Sequence, residues 1–460
     1  MKIKKIKWDN HPVLKNLELD FTNQTTGQPF DNILFAGENG TGKTTILEAI
    51  STFLNLGSFE YFEYIEYFVN GELLKVKPYS TTEYHKFGFH TLEDSTGANS
   101  NINTGKNHSP ELIESNHKDI RHNGCIFSKA RSDFKTEKIT STTTKKLDSE
   151  KYEKDNEDNF TFLKQLLVDI QNQDNNDYSK INKIKWEKGE LPMSYPDFYK
   201  TSKIYRFNEA FDNFFDKIKY SGIEDKNEEK QILFKKNNSL ITIDNLSTGE
   251  KQIVFRGAYL LRNANNLNGS TIMIDEPELS MHPKWQEKIL QYYKNLFTNN
   301  TGTQKAQLFF ATHSEHVLNE ALKDQNNNLV IILSDNAGII ESKRIDTPSV
   351  LPSITSAETN YRAFDIISSD YHIELYGWLQ QKETLDTVKD CDIFIKNHPL
   401  YDLTKHKKIS SFTNSKSGYT TNYETLPTFI RNCIDHPLTT TPFTENELRT
   451  SIELLIELVK

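Results

Sequence analysis

The octapeptide GENGTGKT, residues 37–44, constrains this chain more than any other stretch of it. It fits G-x-x-x-x-G-K-[ST] between an apolar run, NILFAGE, and an amphipathic helical segment with Ile46, Ile50 and Phe53 on one side. A strand that turns through glycines into a helix leaves backbone N–H groups free to surround phosphate oxygens, with no Cβ in the way. The helix start adds partial positive charge. Gly37, Asn39, Gly40, Gly42, Lys43, Thr44 and Thr45 are therefore the expected phosphate-binding residues. Lys43 is expected to reach the β- and γ-phosphates of ATP, and Thr44 to coordinate Mg²⁺.

A phosphate loop binds without necessarily cleaving, and three further stretches address cleavage. TIMIDEPELSMHP delivers Asp275 and Glu276 to a strand's carboxyl end. Asp275 is suited to Mg²⁺, and Glu276 to positioning and deprotonating an attacking water. FFATHS ends another apolar strand with His313, whose imidazole can bond a γ-phosphate. LSTGEKQ sets Ser247 and Glu250 at S-x-x-E, a capping box, before the helical run IVFRGAYLLRNA. With Gly249 beside it, such a helix start also presents free N–H groups to an anion.

The rest of the chain supports an α/β fold in two parts. Strand-like KIKKIKW, LKNLELDF and NILFAGE precede the first helix, and TIMIDE, QLFFATHS and LVIILSD alternate with helical segments, as in a largely parallel sheet. A helical insertion is expected at about 140–235, from FTFLKQLLVDIQ and FNEAFDNFFDKI, following a polar stretch at 131–159. Neither helix sustains the heptads of a long coiled coil, so the insertion reads as a compact lever or lid. The expected domains are 1–354, with the phosphate loop, and a small α-helical domain at 355–460. Three separated cysteines give neither zinc spacing nor a disulfide framework, and no signal peptide or membrane-spanning run is visible. The expected compartment is the cytoplasm. A net charge of −9 argues against a chain-wide nucleic-acid glove, though not against a local patch.

The order phosphate loop, insertion, LSTGEKQ, IMIDEPELSMHP, ATHS resembles the ABC-type ATPase heads, specifically the SMC, DNA-repair and OLD-type group used in bacterial anti-phage defence. The resemblance covers roughly residues 1–345. It implies heads that dimerise head to tail, with Ser247 and Gly249 gripping ATP held by the partner's loop and Ser280 coupling the two sites. Thr248 stands where the family has its first signature glycine, and no glutamine loop is evident. By the resemblance CIFSKARSD at 125–133 is expected in that place, with Arg131 near the nucleotide.

In the tail, TLPTFIRNCIDHP reads as a helix stopped by Pro437, with Leu426, Phe429, Ile430, Cys433 and Ile434 buried and Arg431, Asn432, Asp435 and His436 away from that face. Arg431, Asn432 and His436 resemble the R-x4-H motif of HEPN ribonucleases, helical domains that dimerise and cleave RNA without metal. Histidine can exchange protons with a 2′-OH, and arginine can stabilise phosphate charge. The plain alternative is an Arg431–Asp435 surface pair with His436 capping the helix. Two functions follow: a homodimeric or higher-order defence ATPase whose HEPN-like tail cleaves RNA, or a regulatory ATPase controlling a separately encoded toxin or nuclease. Partner candidates are a second defence protein, RNA and DNA, with no membrane.

Overall fold

The computed structural model describes residues 1–79, 86, 88–104, 114, 116–132, 134–144, 147–148, 152–154, 160–299, 301–413, 418–436 and 442–460. Pro437 and parts of the polar stretch 131–159 lie outside them. Strands β1 (Lys2–Trp8), β2 (Glu18–Asp20) and β3 (Asn32–Gly37) lead into helix α1 (Lys43–Leu54). Then come β4 (Phe62–Val69), β5 (Glu72–Pro78), β6 (His90–Glu93), β7 (Asn99–Ile102), β8 (Cys125–Ser128) and β9 (Tyr152–Lys154). Helices α2 (Thr161–Glu187), α3 (Tyr195–Tyr199) and α4 (Tyr205–Phe214) precede strands β10 (Ile218–Lys226), β11 (Glu229–Lys236) and β12 (Ser239–Thr242). Helices α5 (Thr248–Lys251) and α6 (Gly257–Leu261) flank a π-helical stretch, Gln252–Arg256. Next are β13 (Thr271–Asp275), α7 (Pro283–Leu296), β14 (Gln307–Ala311), α8 (Glu315–Leu322), β15 (Asn328–Asn336) and β16 (Ile339–Ile345).

These elements form a seven-stranded sheet, β16-β15-β3-β14-β13-β8-β9, and a six-stranded antiparallel sheet, β2-β1-β4-β5-β6-β7. Neighbours from β15 to β9 run parallel. Strands β3, β13 and β14 are buried along their whole length, the near-continuous apolar pattern of a parallel sheet covered on both faces. Ile46, Leu47, Ile50 and Phe53 of α1 share one hydrophobic core with Ile6, Ile65 and Tyr67 of one sheet and Phe35, Met273 and Phe309 of the other. Gln307 ties the sheets together through polar groups. Its side chain accepts from Ile3 N at 2.7 Å and donates to Ile3 O and Phe30 O, each at 2.9 Å.

The span 140–235 departs from its helical expectation. It is helical over α2, α3 and α4, but from Ile218 onward it is an antiparallel sheet, β10-β11-β12. Ile218 is thus a strand residue, and Phe215 falls just past the end of α4. Asn227–Glu228 and Asn237–Asn238 take left-handed backbone angles, the two-residue turns that favour hairpins. Helix α2 is also longer than expected, about 40 Å at 1.5 Å per residue. Its first half is buried, and beyond Asp174 no residue of it is.

The chain divides into Met1–Arg344 and Ile345–Lys460. The second unit comprises α9 (Ser356–Phe364), α10 (Ser369–Lys382), α11 (Val388–Asn397), a hairpin of β17 (Lys407–Thr413) and β18 (Thr420–Thr425), α12 (Leu426–Asp435) and α13 (Glu445–Val459). The hairpin is absent from the all-helical expectation. Its outward residues alternate with half-buried ones, and the polar, threonine-rich sequence hides that strand period. Leu375, Leu379, Ile395, Ile430, Ile452 and Leu455 centre the core. Asp392 is buried and accepts from Thr425 N at 3.0 Å, Thr425 Oγ1 at 2.8 Å and Glu424 N at 3.1 Å, so it anchors the hairpin to α11.

His372 of α10 is buried and bonds Ser451 Oγ of α13 at 2.8 Å. Burial pushes its pKa down to about 3. An unfolded histidine takes its proton near 6.5, so stability is lost as pH falls from about 6.5 towards 3, at about 1.4 kcal/mol per unit. In the full chain, amide exchange over α10 and α13 should accelerate across that window. His372→Gln should flatten the dependence.

Candidate functional site

Parallel pairing sets the carboxyl ends of β3, β14 and β13 side by side, with Phe35 opposite Ala311 and Ala311 opposite Asp275. The loop after β3, the His313 segment after β14 and the Asp275–Glu276 pair after β13 therefore meet at one edge, where open α/β sheets bind ligands. Gly37, Gly40 and Gly42 have φ of 137°, 86° and 87°. At Gly37 a Cβ would fall 2.1 Å from Leu333 O, so only glycine fits. Asn39, Gly40 and Thr44 are exposed, and Thr45 is half-buried.

Lys43 is buried, and its ammonium donates to Gly37 O at 2.9 Å and Glu38 O at 2.7 Å. Burial lowers its pKa, while the nearby carboxylates of Asp275, Glu276 and Glu278 oppose that shift. Thr44 Oγ1 lies 3.1 Å from both oxygens of Asp275. Burial raises the Asp275 pKa to about 6, against the pull of the Thr44 hydroxyl and Arg256. A hydroxyl and a desolvated carboxylate in contact at the mouth of a phosphate loop are hard oxygen donors suited to Mg²⁺. Among the described residues no cluster of three or more His, Cys, Asp or Glu is placed to hold a metal. Mg²⁺ in such sites needs one or two protein oxygens, with phosphates and waters completing its shell.

Glu276 has φ 44° and its N–H bonds Ala311 O at 2.8 Å. Its Oε1 lies 3.8 Å from His313 Nε2. Burial, then the charge on Lys43, depresses the His313 pKa. The His313 N–H donates to Glu278 Oε1 at 2.8 Å, and burial raises the Glu278 carboxyl. Glu278 thus holds the histidine segment in place, a role the sequence reading missed.

Ser247 caps α5 with both halves of the capping box formed, and Glu250 also pairs with Lys236 at 2.5 Å. A Cβ on Gly249 would fall 2.8 Å from Ser280 O, so the two segments back onto each other. Ser280 itself has φ 61°. Arg131 carries its guanidinium over the Phe160 ring, 4.9 Å from the centroid, and its carbonyl accepts from Gln252. The other residue missed is Arg256, which is buried and bonds the backbone of Asp275 and Glu276. A lone charge inside the apolar run IVFRGAYLL was the available signal.

The tail residues meet differently. Arg431 pairs with Asp435 at 2.7 Å and donates to Asn432 Oδ1 at 3.0 Å. Asn432 is buried rather than turned outward, and α12 packs against the hairpin as well as α13. His436 stacks on Phe412, with centroids 4.3 Å apart.

Residues 33–319 match the profile of the family described as "AAA domain, putative AbiEii toxin, Type IV TA system". The chain belongs to this family. The match takes in residues 37–44, Ser247–Glu250, Asp275–Glu276 and His313 of this AAA-domain protein. A curated relative, "Retron Vc95 probable ATPase" from Vibrio cholerae serotype O1 biovar El Tor, is 37% identical over 99 residues, which is 20% of this chain and 18% of that protein. Similar solved structures include the SMC head domain from Thermotoga maritima (TM-score 0.38, 14% identity, covering 75% of this chain and 100% of that chain). Another is the SmcHead bound to the C-winged helix domain of ScpA (TM-score 0.42, 15% identity, covering 75% and 98%). Among the described residues no helix is long and apolar enough to cross a membrane.

Asp275→Asn and Thr44→Val should each weaken Mg²⁺-supported nucleotide binding by about tenfold or more, while metal-free binding changes little. Titration of a fluorescent nucleotide with and without Mg²⁺ checks this.

Proposed function

We propose that this AAA-domain protein binds and hydrolyses ATP, that ATP joins two copies of it, and that the cycle serves anti-phage defence. One observation carries the reading: Lys43, the Thr44–Asp275 contact and the Glu276–His313 pair converge at a single sheet edge. Lys43 and the loop N–H groups bind and orient the phosphates. Thr44 and Asp275 would hold Mg²⁺, which when bound would offset charge on the phosphates. Glu276 orients the attacking water and takes its proton at the carboxylate. His313, held by Glu278, bonds the terminal phosphate and reports its presence.

Sharing of ATP between two copies is supported by the signature. Ser247 and Gly249 head a helix against Ser280, the arrangement that the ABC-type resemblance assigns to the partner's nucleotide. Family membership and the retron relative support nucleotide hydrolysis, and the toxin–antitoxin wording of the family description supports a defence setting. RNA cleavage by Arg431, Asn432 and His436 was the expected work of the tail. The Arg431–Asp435 pair and the His436–Phe412 stack instead favour the second reading. In it the tail is an interaction domain, and the ATPase restrains or releases a separate effector. A guanidinium already paired within its own helix offers a phosphate fewer donors and less net charge.

Glu276→Gln should bind ATP and accumulate as a dimer in light scattering, with turnover reduced by about a hundredfold or more. A monomer under saturating ATP would overturn the shared-site reading. Incubation of wild type and His436→Ala with total RNA and ATP separates the tail's two roles. Cleavage lost in the variant marks a ribonuclease, and intact RNA in both marks an interaction domain.

A further inference from the structure

We infer that Arg256 is a positioning residue that carries the state of the signature helix to the carboxylates at the end of β13, so that each copy's signature sets its own Asp275 and Glu276. The inference deepens the proposed function and rests on its shared nucleotide site.

The backbone from Thr248 to Leu261 is one helix in three parts, with the π-helical stretch Gln252–Arg256 in the middle. A π turn holds an extra residue, weakens local pairing, and recurs at functional sites. Here it is supported from outside. Tyr292 OH donates to Ile253 O at 3.3 Å, and a Cβ on Gly257 would fall 2.2 Å from that hydroxyl. The last residue of the stretch is Arg256. Its Nε donates to Ser128 Oγ at 3.1 Å, and NH2 to Ser128 O at 3.1 Å and Asp275 O at 2.5 Å. NH1 donates to Glu276 O at 2.9 Å.

Two features of this set point beyond packing. First, all four acceptors are uncharged oxygens, three of them backbone carbonyls. A buried guanidinium satisfied by carbonyls is costly to place and sensitive to their position. Second, the carbonyls of Asp275 and Glu276 belong to the two residues whose side chains face the phosphate loop. Glu276 also holds a left-handed φ of 44°, a conformation that persists only where surroundings over-determine it. Arg256 grips that residue's own carbonyl, and Ala311 O holds its N–H.

The geometry therefore forms a lever. Its near end is Ser247–Gly249, where the partner's nucleotide would sit. Its far end is Arg256, about 12 Å along the helix. A shift of the helix on engaging the partner's phosphates moves the guanidinium and re-aims Glu276 in the same copy. Nucleotide at one site thus sets the hydrolytic residue of the other, and turnover becomes cooperative.

The test compares wild type with Arg256→Lys, Arg256→Gln and Ser128→Ala, all full length. Nucleotide affinity is read by fluorescent ATP, turnover by steady-state rate against ATP concentration, and folding by thermal melting. Wild type should give a sigmoidal rate curve with a Hill coefficient approaching about 2. The Arg256 variants should bind nucleotide within about twofold of wild type, lose about tenfold or more in kcat, and give hyperbolic curves. Ser128→Ala removes one acceptor without touching the charge and should fall between them, so the inference stays testable if Arg256→Gln fails to fold. Hyperbolic wild-type kinetics, or Arg256→Lys and Ser128→Ala with wild-type kcat and cooperativity, would overturn it. The Glu276→Gln dimer separates the two failures. If no dimer forms with ATP, the shared-site reading falls and takes this one with it. If the dimer forms and the variants behave as wild type, only the role of Arg256 falls.

Discussion

The site depends on the register of three parallel strands. Asp275 pairs with Ala311 and Ala311 with Phe35, so the chain leaves β13, β14 and β3 at nearly the same height. Each strand is buried along its length, so a change of register would have to repack both faces of the sheet. A slip of one residue would turn Phe35, Met273 and Phe309 off their shared core and move each motif by more than the length of a hydrogen bond. The stability of the sheet and the placement of the chemistry are one constraint.

The same edge gathers charges that water would otherwise solvate. Asp275 and Glu278 are shifted upward by burial, Lys43 and His313 downward. Three of the four are held by a directed partner: Thr44 for Asp275, the His313 N–H for Glu278, loop carbonyls for Lys43. In so low a dielectric, preorganised groups act on a phosphate more strongly than they would in water. Arg256 extends the pattern one layer inward, where it binds the backbone that carries the carboxylates rather than the carboxylates themselves.

Much of this could be read in the sequence, for physical reasons that differ from place to place. The glycines of residues 37–44 and the apolar runs before Asp275 and His313 announce themselves because a phosphate cradle and a covered parallel strand each tolerate few residue types. The buried face of α13 follows the same logic, since Leu448, Ile452, Leu455 and Val459 stand at helical spacing in the sequence and all four are buried. Strands β10–β12 and the β17–β18 hairpin were not, because they are half-exposed, charged or threonine-rich, and lean on turns and neighbours. The partners of Arg256 lie 19, 20 and 128 residues away, and no local period encodes such distances. For Asn432 the period gave an outward direction, yet the residue is buried, on a helix that also packs against a hairpin the sequence does not announce.

The strand order has a consequence for synthesis on the ribosome. Strand β3 emerges well before both its neighbours, β14 and β15, which are translated roughly 270 residues or more afterwards. At about 5–20 residues per second that is a wait of about 15–55 s for a strand with no hydrophilic face. Until residue 307 appears, β1 also lacks the Gln307 side chain that bonds Ile3. Until then the segment before β14 has only its antiparallel sheet and chaperones to lean on, and a product truncated before β14 would leave β3 open to proteases.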